Sequence, residues 1–250
     1  MNNRAIIQKV KKAFDEDFSK KNYMEERTCD TKHLDKILAC LNIKAQSNIL
    51  DLGTGSGFLA FPIAEMNTEC SVYGLDIATK TLEKNKEKAT MMNLNNLHFK
   101  EYDGVKFPFK DNMFDCVVTR YALHHFPDID KSFSEISRVL KKGGSMFISD
   151  PTADLTDKDR FIDRFMQMKE DGHVRFYLKS EFMELADKHG FQPAAMFDSN
   201  IRFPSERTEK YLQISESIDK EVIRNYDIEV MNGKVFITLQ VMNLLFVKSR

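Results

Sequence analysis

Three glycines stand at alternate positions after a short apolar run in NILDLGTGSGFLA, residues 48–60. Glycine tolerates positive φ and has no Cβ, so a ligand can lie against the main chain of Gly53, Gly55 and Gly57. Asp51 stands just before them, and its carboxylate disfavours a phosphate while favouring an ammonium or sulfonium ligand. The dinucleotide fingerprint needs a glycine where Phe58 stands, and the lysine of a P-loop is absent. The pattern therefore predicts a cofactor that carries positive charge.

Two more acids end the next apolar runs. Asp76 ends SVYGLD and Asp103 ends LHFKEYD, directly before Gly104. A carboxylate at the end of a second strand can accept both hydroxyls of a ribose, and Asp103 is placed to meet an adenine amino group. Each acid alone could instead cap the helix that follows it. Their recurrence at successive strand ends favours a nucleoside cofactor.

Two histidine-containing stretches are candidates for proton transfer or for binding a substrate. His124 and His125 follow the fourth apolar run, and the near-neutral pKa of histidine suits a general base. The alternative is that this pair holds its loop through hydrogen bonds. The second stretch is DGHVRFYLKSEF, residues 171–182. An acidic or phenolic substrate could be held there by His173, Arg175 and Tyr177. The alternative for that stretch is a surface loop with a salt bridge.

Short apolar runs that alternate with helix-length segments must position these residues. Strands are predicted at residues 48–52, 71–76, 97–103, 114–120 and 144–150, and helices after Gly57, after Ile77 and at residues 128–140. This alternation indicates βαβ units, a parallel sheet and right-handed crossovers. Ligands of such sheets bind beyond the C-terminal ends of the strands, where the acids stand.

The chain beyond Asp150 has a different pattern. Thr156 and Asp159 resemble a capping box that opens a helix, and FQPAAMF, residues 191–197, is a predicted sixth strand. Asn232-Gly233 between two apolar runs predicts a hairpin. Because no linker or repeat interrupts the sequence, we expect one domain over residues 1–250.

Composition excludes several classes of protein. The chain has 250 residues, is 42% hydrophobic and carries a net charge of −1, and no block of like charge indicates nucleic-acid binding. The four cysteines lack metal-ligand spacing, so no metal is expected. No 18-residue apolar run or signal peptide is present. These features predict a cytoplasmic protein without stable membrane insertion.

As a linked set, the motifs resemble the class I S-adenosylmethionine-dependent methyltransferases. The matching stretches, in the family's order, are ILDLGTGSG, YGLDI, EYDGVKFPFKDNMFDCVV, RYALHHFPD and RVLKKGGSMFISD. Within that family the chain is most similar to the methyltransferase type 11 group, near the ubiquinone/menaquinone C-methyltransferases. One departure speaks against a quinone acceptor, since RYALHHF stands where those enzymes carry Gly-Leu-Arg-Asn.

The resemblance implies a role for each matching residue. The loop 53–57, including Thr54, would hold the methionine part of the cofactor, with Asp51 near its amino group directly or through water. Asp76 would bind the ribose, Ile77 would pack on the adenine, and Asp103 with Gly104 would meet the adenine amine. Arg120 would line the cofactor.

The resemblance also implies the architecture. The fold would be a Rossmann-like three-layer α/β/α sandwich around a seven-stranded, mostly parallel sheet with an antiparallel C-terminal hairpin strand. Residues 46–150 would form the cofactor-binding core and residues 151–250 the acceptor side. Residues 1–45 would form a helical lid that excludes water from the sulfonium, with Tyr23 beside the acceptor.

The expected activity is methyl transfer from S-adenosylmethionine to a small-molecule acceptor by in-line displacement, which leaves S-adenosylhomocysteine. The alternative is a catalytically silent cofactor-binding or interaction protein on the same fold. A nicotinamide oxidoreductase is disfavoured by Phe58 and by the lack of a Tyr-x-x-x-Lys pair. A neutral net charge disfavours an RNA methyltransferase. The sequence is compatible with a homodimer and does not determine the oligomeric state.

Overall fold

The structure, a computed structural model, describes residues 2–17, 30–169, 171–205, 208–215 and 217–249. Its sheet has the order β3-β2-β1-β4-β5-β8-β6, and a further short strand, β7, pairs with β8. The strands are β1 (Asn48–Leu52), β2 (Ser71–Asp76), β3 (Leu97–Glu101), β4 (Phe114–Arg120), β5 (Leu140–Pro151), β6 (Phe191–Ser205), β7 (Glu229–Met231) and β8 (Lys234–Lys248).

Helices cover both faces of this sheet. In chain order they are α1 (Asn3–Asp17), α2 (Thr31–Leu41), α3 (Ala60–Met66), α4 (Thr79–Met91), α5 (Ile129–Val139), α6 (Phe161–Gln167), α7 (Lys179–Lys188), α8 (Thr208–Ser215) and α9 (Lys220–Asn225). A 3₁₀ turn, Leu123–His125, follows β4. No helix within the described ranges is both long enough and apolar enough to span a bilayer.

The expected Rossmann-like fold is confirmed. The first five strands pair in parallel, and β8 lies antiparallel between β5 and β6. The strand additional to the expected seven is the three-residue β7, which joins β8 through the predicted Asn-Gly turn. Asn232 and Gly233 have φ values of 51° and 74°, as a tight hairpin turn of this kind requires.

Apolar side chains from both faces of the sheet form the layers of the sandwich. One buried cluster joins the sheet to α5 and α7 through residues such as Phe133 and Phe182. A second cluster joins the other face to α2, α3 and α4 through residues such as Ile37 and Leu82. A third cluster lies under α6, α8 and α9, against the far ends of β6 and β8. The strands and the helices predicted from the apolar spacing thus both bury their apolar side chains between the layers.

Several predicted bounds differ from the structure. Strand β3 ends at Glu101 and not at residue 103, and β5 begins at Leu140 and not at residue 144. The sixth strand continues to Ser205, well past residue 197, because it pairs with β8 along its whole length. The helix expected at Thr156 begins instead at Phe161. Its N-terminus is capped by the Asp157 carboxylate, which accepts hydrogen bonds from the backbone N–H groups of Phe161 and Ile162 at 2.7 and 3.0 Å.

Helix α1 lies over the carboxyl ends of the parallel strands. Asp15 accepts a hydrogen bond from Lys80 N at 2.9 Å, and Lys11 pairs with Glu101. On its apolar face, Ile7 contacts Gly104, and the Phe14 ring meets that of His125 edge-on at 5.2 Å. The apolar spacing of this helix therefore serves to cover the edge of the sheet where ligands bind.

Candidate functional site

A cavity lies at the carboxyl ends of the strands, below α1. The loop after β1, the end of β2 and the segment from Arg120 to Pro127 line it, and Ile7, Val10 and Phe14 close it from α1. The predicted cofactor residues Gly53, Thr54, Gly55, Asp76, Ile77, Gly104 and Arg120 all line it.

The glycine loop is held by the neighbouring strand. Gly53 N and Thr54 N both donate to Leu75 O, at 2.8 and 3.1 Å. Gly53 has a φ of 67°, and a Cβ at that position would lie 2.5 Å from Ala122 Cβ. Because only glycine fits there, the loop can pack directly against the segment that follows β4. Gly57, by contrast, contacts Phe61 and stands outside the lining of the cavity.

Asp76 faces the cavity with a fixed carboxylate. Its Oδ2 accepts from Gly55 N at 2.9 Å and its Oδ1 accepts from Ala78 N at 3.0 Å. Burial raises its pKa, an effect that these hydrogen bonds oppose. Each carboxylate oxygen accepts more than one hydrogen bond, so the carboxylate can still receive two hydroxyl groups of a ligand. This geometry fits the predicted ribose site.

Asp51 lies behind the loop and not in the cavity wall. Its carboxylate is 2% exposed and accepts a hydrogen bond from Thr54 Oγ1 at 2.7 Å. Burial raises its pKa to about 7, against the hydrogen bond from Thr54. Asp51 is thus linked to the cavity lining through Thr54, and its place near a cofactor amino group, directly or through water, stays a prediction.

Replacing Asp51 with asparagine is expected to change how stability depends on pH. In the folded protein Asp51 titrates near pH 7, and its reference pKa is 3.8. The folded state therefore holds an extra proton between these values. Its free energy of unfolding falls as pH rises from about 4 to 7, by up to ~1.4 kcal/mol per pH unit. Urea unfolding at pH 5, 6, 7 and 8 measures the free energy of unfolding of both proteins. The value for Asp51→Asn should rise relative to that of the wild type as the pH increases to 7. A constant difference would contradict the raised pKa.

Arg120 supplies the cavity's positive charge. Its guanidinium lies 3.9 Å from the centre of the Phe58 ring and 4.0 Å from that of Tyr121. Such stacking holds a guanidinium in place. Among the described lining residues, Arg120 is the sole Lys or Arg and Asp76 the sole acid. The two sit in the same cavity, so it can receive a ligand with a carboxylate at one end and hydroxyls at the other.

The structure places Asp103 outside the cavity. Its carboxylate accepts from Val105 N and Lys106 N, both at 2.9 Å, and it lines an adjacent groove at the outer side of α1. The side chain thus closes its own turn and caps no helix, since β4 is the next element along the chain. Gly104 and Tyr102 face the cavity in its place.

The three histidines predicted for catalysis do meet. The ring centre of His124 lies 4.3 Å from that of His125 and 5.5 Å from that of His173, and those of His125 and His173 lie 6.1 Å apart. His125 lines the cavity, whereas His124 and His173 stand behind it. No cluster of His, Cys, Asp or Glu in the described part of the chain has the arrangement of a metal site.

Arg175 and Tyr177, predicted to bind the acceptor, point elsewhere. Arg175 forms an ion pair with Glu181 and stacks on Tyr177 at 4.8 Å. Tyr177 is 8% exposed and packs on Phe182. This ion pair matches the salt-bridge alternative, because Glu181 in the first turn of α7 binds the Arg175 guanidinium. Tyr23 lies outside the described residues.

Sequence reasoning missed part of the lining. Ser56 and Tyr102 line the cavity and were not singled out. Ser56 lies within the glycine loop and Tyr102 directly follows β3, so their place beside predicted site residues was an available signal. Asp163 carries a hydrogen bond to the predicted His173, and no sequence pattern links the two residues.

Comparison with known proteins places the chain in a family. A family model described as a methyltransferase domain matches residues 43–190, more than half of the chain. The chain is 27% identical over 187 residues to the uncharacterized methyltransferase YcgJ of Bacillus subtilis, which covers 73% of each protein. It is 36% identical over 105 residues to the demethylmenaquinone methyltransferase of Thermus thermophilus, but there it covers 47% of that enzyme.

Solved structures agree with the fold. The crystal structure of YcgJ aligns with 88% of the chain at a TM-score of 0.78 and 21% identity, and all of that chain is covered. A putative methyltransferase from Bacillus halodurans aligns equally well, with a TM-score of 0.78, 25% identity and coverage of 88% and 100% of the two chains. The chain therefore belongs to the methyltransferase-domain family, with the fold of the class I S-adenosylmethionine-dependent methyltransferases.

Proposed function

We propose that the protein transfers a methyl group from S-adenosylmethionine to a small-molecule acceptor. The observation that carries the proposal is the cavity that joins the glycine loop, the Asp76 carboxylate and the Arg120 guanidinium. A ligand with a ribose and a carboxylate-bearing amino-acid end matches Asp76 and Arg120, and the glycine loop lets such a ligand lie against the main chain. The cofactor's carboxylate would face Arg120, its ribose Asp76 and its adenine Ile77 and Gly104.

The proposed residues act mainly by alignment. Methyl transfer is a displacement at carbon in which the acceptor, the methyl group and the sulfur lie in line. Holding such partners in place contributes up to ~7–11 kcal/mol to rate acceleration in favourable cases. Gly53, Gly55 and Asp76 would fix the donor. Tyr121 and Phe126 line the part of the cavity beside it. Asp51 would support the loop through Thr54.

Calorimetry with S-adenosylmethionine and with NAD tests this proposal. We expect S-adenosylmethionine and S-adenosylhomocysteine to bind at micromolar or tighter Kd. NAD should bind far more weakly, since Phe58 replaces the third glycine of the dinucleotide fingerprint, which lets helix and strand pack closely in that motif. Tight NAD binding without S-adenosylmethionine binding would refute the proposed cofactor.

We further propose that the chain acts as one domain over residues 1–250, in the cytoplasm, with α1 as a lid. The close contact of α1 with Gly172 supports the lid, because a Cβ at Gly172 would lie 2.3 Å from Val10 Cγ2. A lid of this kind excludes water from the sulfonium. The core at residues 46–150 would hold the donor and the segment 151–250 would complete the acceptor side.

Gly172→Ala is expected to lift α1. The new methyl group would overlap Val10, and Gly172 also has a φ of 80°. Hydrogen exchange of residues 2–17 should accelerate at least about tenfold, and S-adenosylmethionine should bind more weakly. Gly143→Ala is the matched control, with a φ of 77° and no atom within 4 Å. Equal exchange of α1 in the two variants would contradict the lid.

A further inference from the structure

A buried polar cluster stands behind the cavity and reaches its lining at His125, whose ring meets that of Phe14. It contains His124, His125 and His173, with exposures of 8%, 9% and 6%. Three carboxylates, those of Asp150, Asp163 and Asp171, are buried beside them, at 2%, 5% and 5% exposure. Buried titratable groups with shifted pKa values beside a cavity are candidates for chemistry. The proposed alignment of donor and acceptor does not by itself use this cluster.

Two of the imidazoles are fixed by carboxylates. His124 Nδ1 lies 2.5 Å from Asp150 Oδ1, while Asp150 Oδ2 accepts from Leu123 N at 2.9 Å. His173 Nε2 lies 2.9 Å from Asp163 Oδ1, which also accepts from Phe176 N at 2.7 Å. Each of these two rings therefore has a set orientation, and each has one nitrogen committed to an acid.

His125 differs from its two neighbours. It lines the cavity and is hydrogen-bonded to no carboxylate, while its Nδ1, like that of His173, is buried without a hydrogen-bond partner among the described residues. Its ring is enclosed by Phe14, His124 and His173. A buried polar atom without a partner requires an explanation. Because no acid holds its ring, His125 is the member of the cluster that is able to exchange a proton with a molecule in the cavity.

We propose that His125 is the catalytic base that takes a proton from a weakly acidic hydroxyl, phenolic or enolic, on the methyl acceptor. His124 and His173, each tied to its acid, are positioning residues that hold the His125 ring. This inference rests on the proposed function and adds to it the class of acceptor.

The step balances in atoms and charge. The acceptor oxygen forms a bond to the methyl carbon as the carbon–sulfur bond breaks, and that electron pair stays on sulfur as a neutral thioether. The hydroxyl proton moves to the unprotonated nitrogen of His125. The positive charge thus passes from the sulfonium to the imidazolium, which later releases the proton to water. No oxidant or other reactant is required.

The charges around His125 suit this role. Burial lowers its pKa well below the usual value, and the neighbouring His124 lowers it further. The ring is therefore neutral at pH 7 and does not repel a sulfonium. Asp171 opposes these effects and can stabilise the imidazolium once it forms. The other charged or titratable groups that act on His125 are His173 and Lys169, and α1 contributes the uncharged Phe14.

The same charges disfavour a cationic amine as acceptor. The donor would bring a positive charge on its sulfur, and Arg120, which would face the donor's carboxylate, offers no negative charge to the acceptor. Asp76, the acid in the described lining, is tied to Gly55 and Ala78 at the proposed ribose end. A neutral hydroxyl enters such a site with less repulsion than an ammonium group does.

The test uses S-adenosylmethionine with a labelled methyl group and two probe acceptors, 2-naphthol and 1-hexylamine. We expect the wild type to methylate 2-naphthol in preference to hexylamine. His125→Gln should lower that rate by about 10²-fold or more, the usual contribution of a general base, with the Kd for S-adenosylmethionine within about threefold. Added imidazole should restore part of the rate to His125→Ala. His98→Gln, an exposed histidine on β3, is the control and should behave as the wild type.

Several outcomes overturn the inference. These are a His125→Gln rate above about a tenth of the wild type, a preference for hexylamine, or no methylation of 2-naphthol by a wild type that binds S-adenosylmethionine. Nitrogen-15 NMR of the histidines in the S-adenosylhomocysteine complex adds a test that needs no acceptor. We expect a neutral His125 ring at pH 7, and a protonated one refutes the base. Loss of cofactor binding by the wild type would instead refute the proposed function itself.

Discussion

Asp76→Ala is expected to lower the affinity for S-adenosylmethionine at least about 100-fold. The carboxylate faces the cavity, and the proposed ribose would donate two hydroxyl hydrogens to it. Hydrogen bonds to a charged group contribute ~1.5–3 kcal/mol each, so losing two corresponds to a factor of roughly 100 to 10,000 or more. Calorimetry on the purified variant measures the change directly.

Asp103→Ala is the matched control for this change. Asp103 also follows a strand and also accepts two backbone hydrogen bonds, but its carboxylate lies outside the cavity. Its removal should change cofactor affinity less than about threefold. Because Asp76 also holds Gly55 N, thermal unfolding of both variants must be recorded. Unchanged affinity in a folded Asp76→Ala would refute the ribose contact.

Gly53→Ala is expected to destabilise the protein by about 2–5 kcal/mol. An alanine at a φ of 67° carries the left-handed penalty of ~1–2 kcal/mol. Its Cβ would also lie 2.5 Å from Ala122 Cβ, and overpacking of this kind costs ~1–3 kcal/mol. For a chain of this size, Tm should fall by about 5–15 °C.

Gly233→Ala separates the two contributions. Gly233 has a φ of 74° with no atom within 4 Å, so alanine there carries the backbone penalty alone. Differential scanning calorimetry should show the smaller loss for this variant. Equal losses in the two variants would mean that Gly53 matters for its dihedral angle and not for its contact with the segment after β4.

The sequence predicted the sheet well because local patterns determine it. The runs ending at Leu52, Asp76 and Arg120 became β1, β2 and β4 with the expected bounds. The C-terminal ends of parallel strands share one edge, so this alone brought Asp76, Arg120 and the glycine loop together. Asn232 and Gly233 made the expected turn for the same local reason.

The direction of side chains was not readable from sequence. Asp103 turns back to its own loop, and Arg175 is held by Glu181, because each found a partner within six residues. The pairing of His173 with Asp163 and the cover of α1 over His125 depend on tertiary packing. Spacing predicts the elements, but such contacts arise only when the elements pack against one another.

The decisive measurement for the proposed activity is transfer of a labelled methyl group from S-adenosylmethionine to metabolites of a cell extract. We expect a labelled small molecule with the wild type, together with stoichiometric S-adenosylhomocysteine, and a much reduced yield with Asp76→Ala. Cofactor binding without labelled product from any extract would contradict the proposed activity. It would favour instead a catalytically silent protein that binds the cofactor on the same fold.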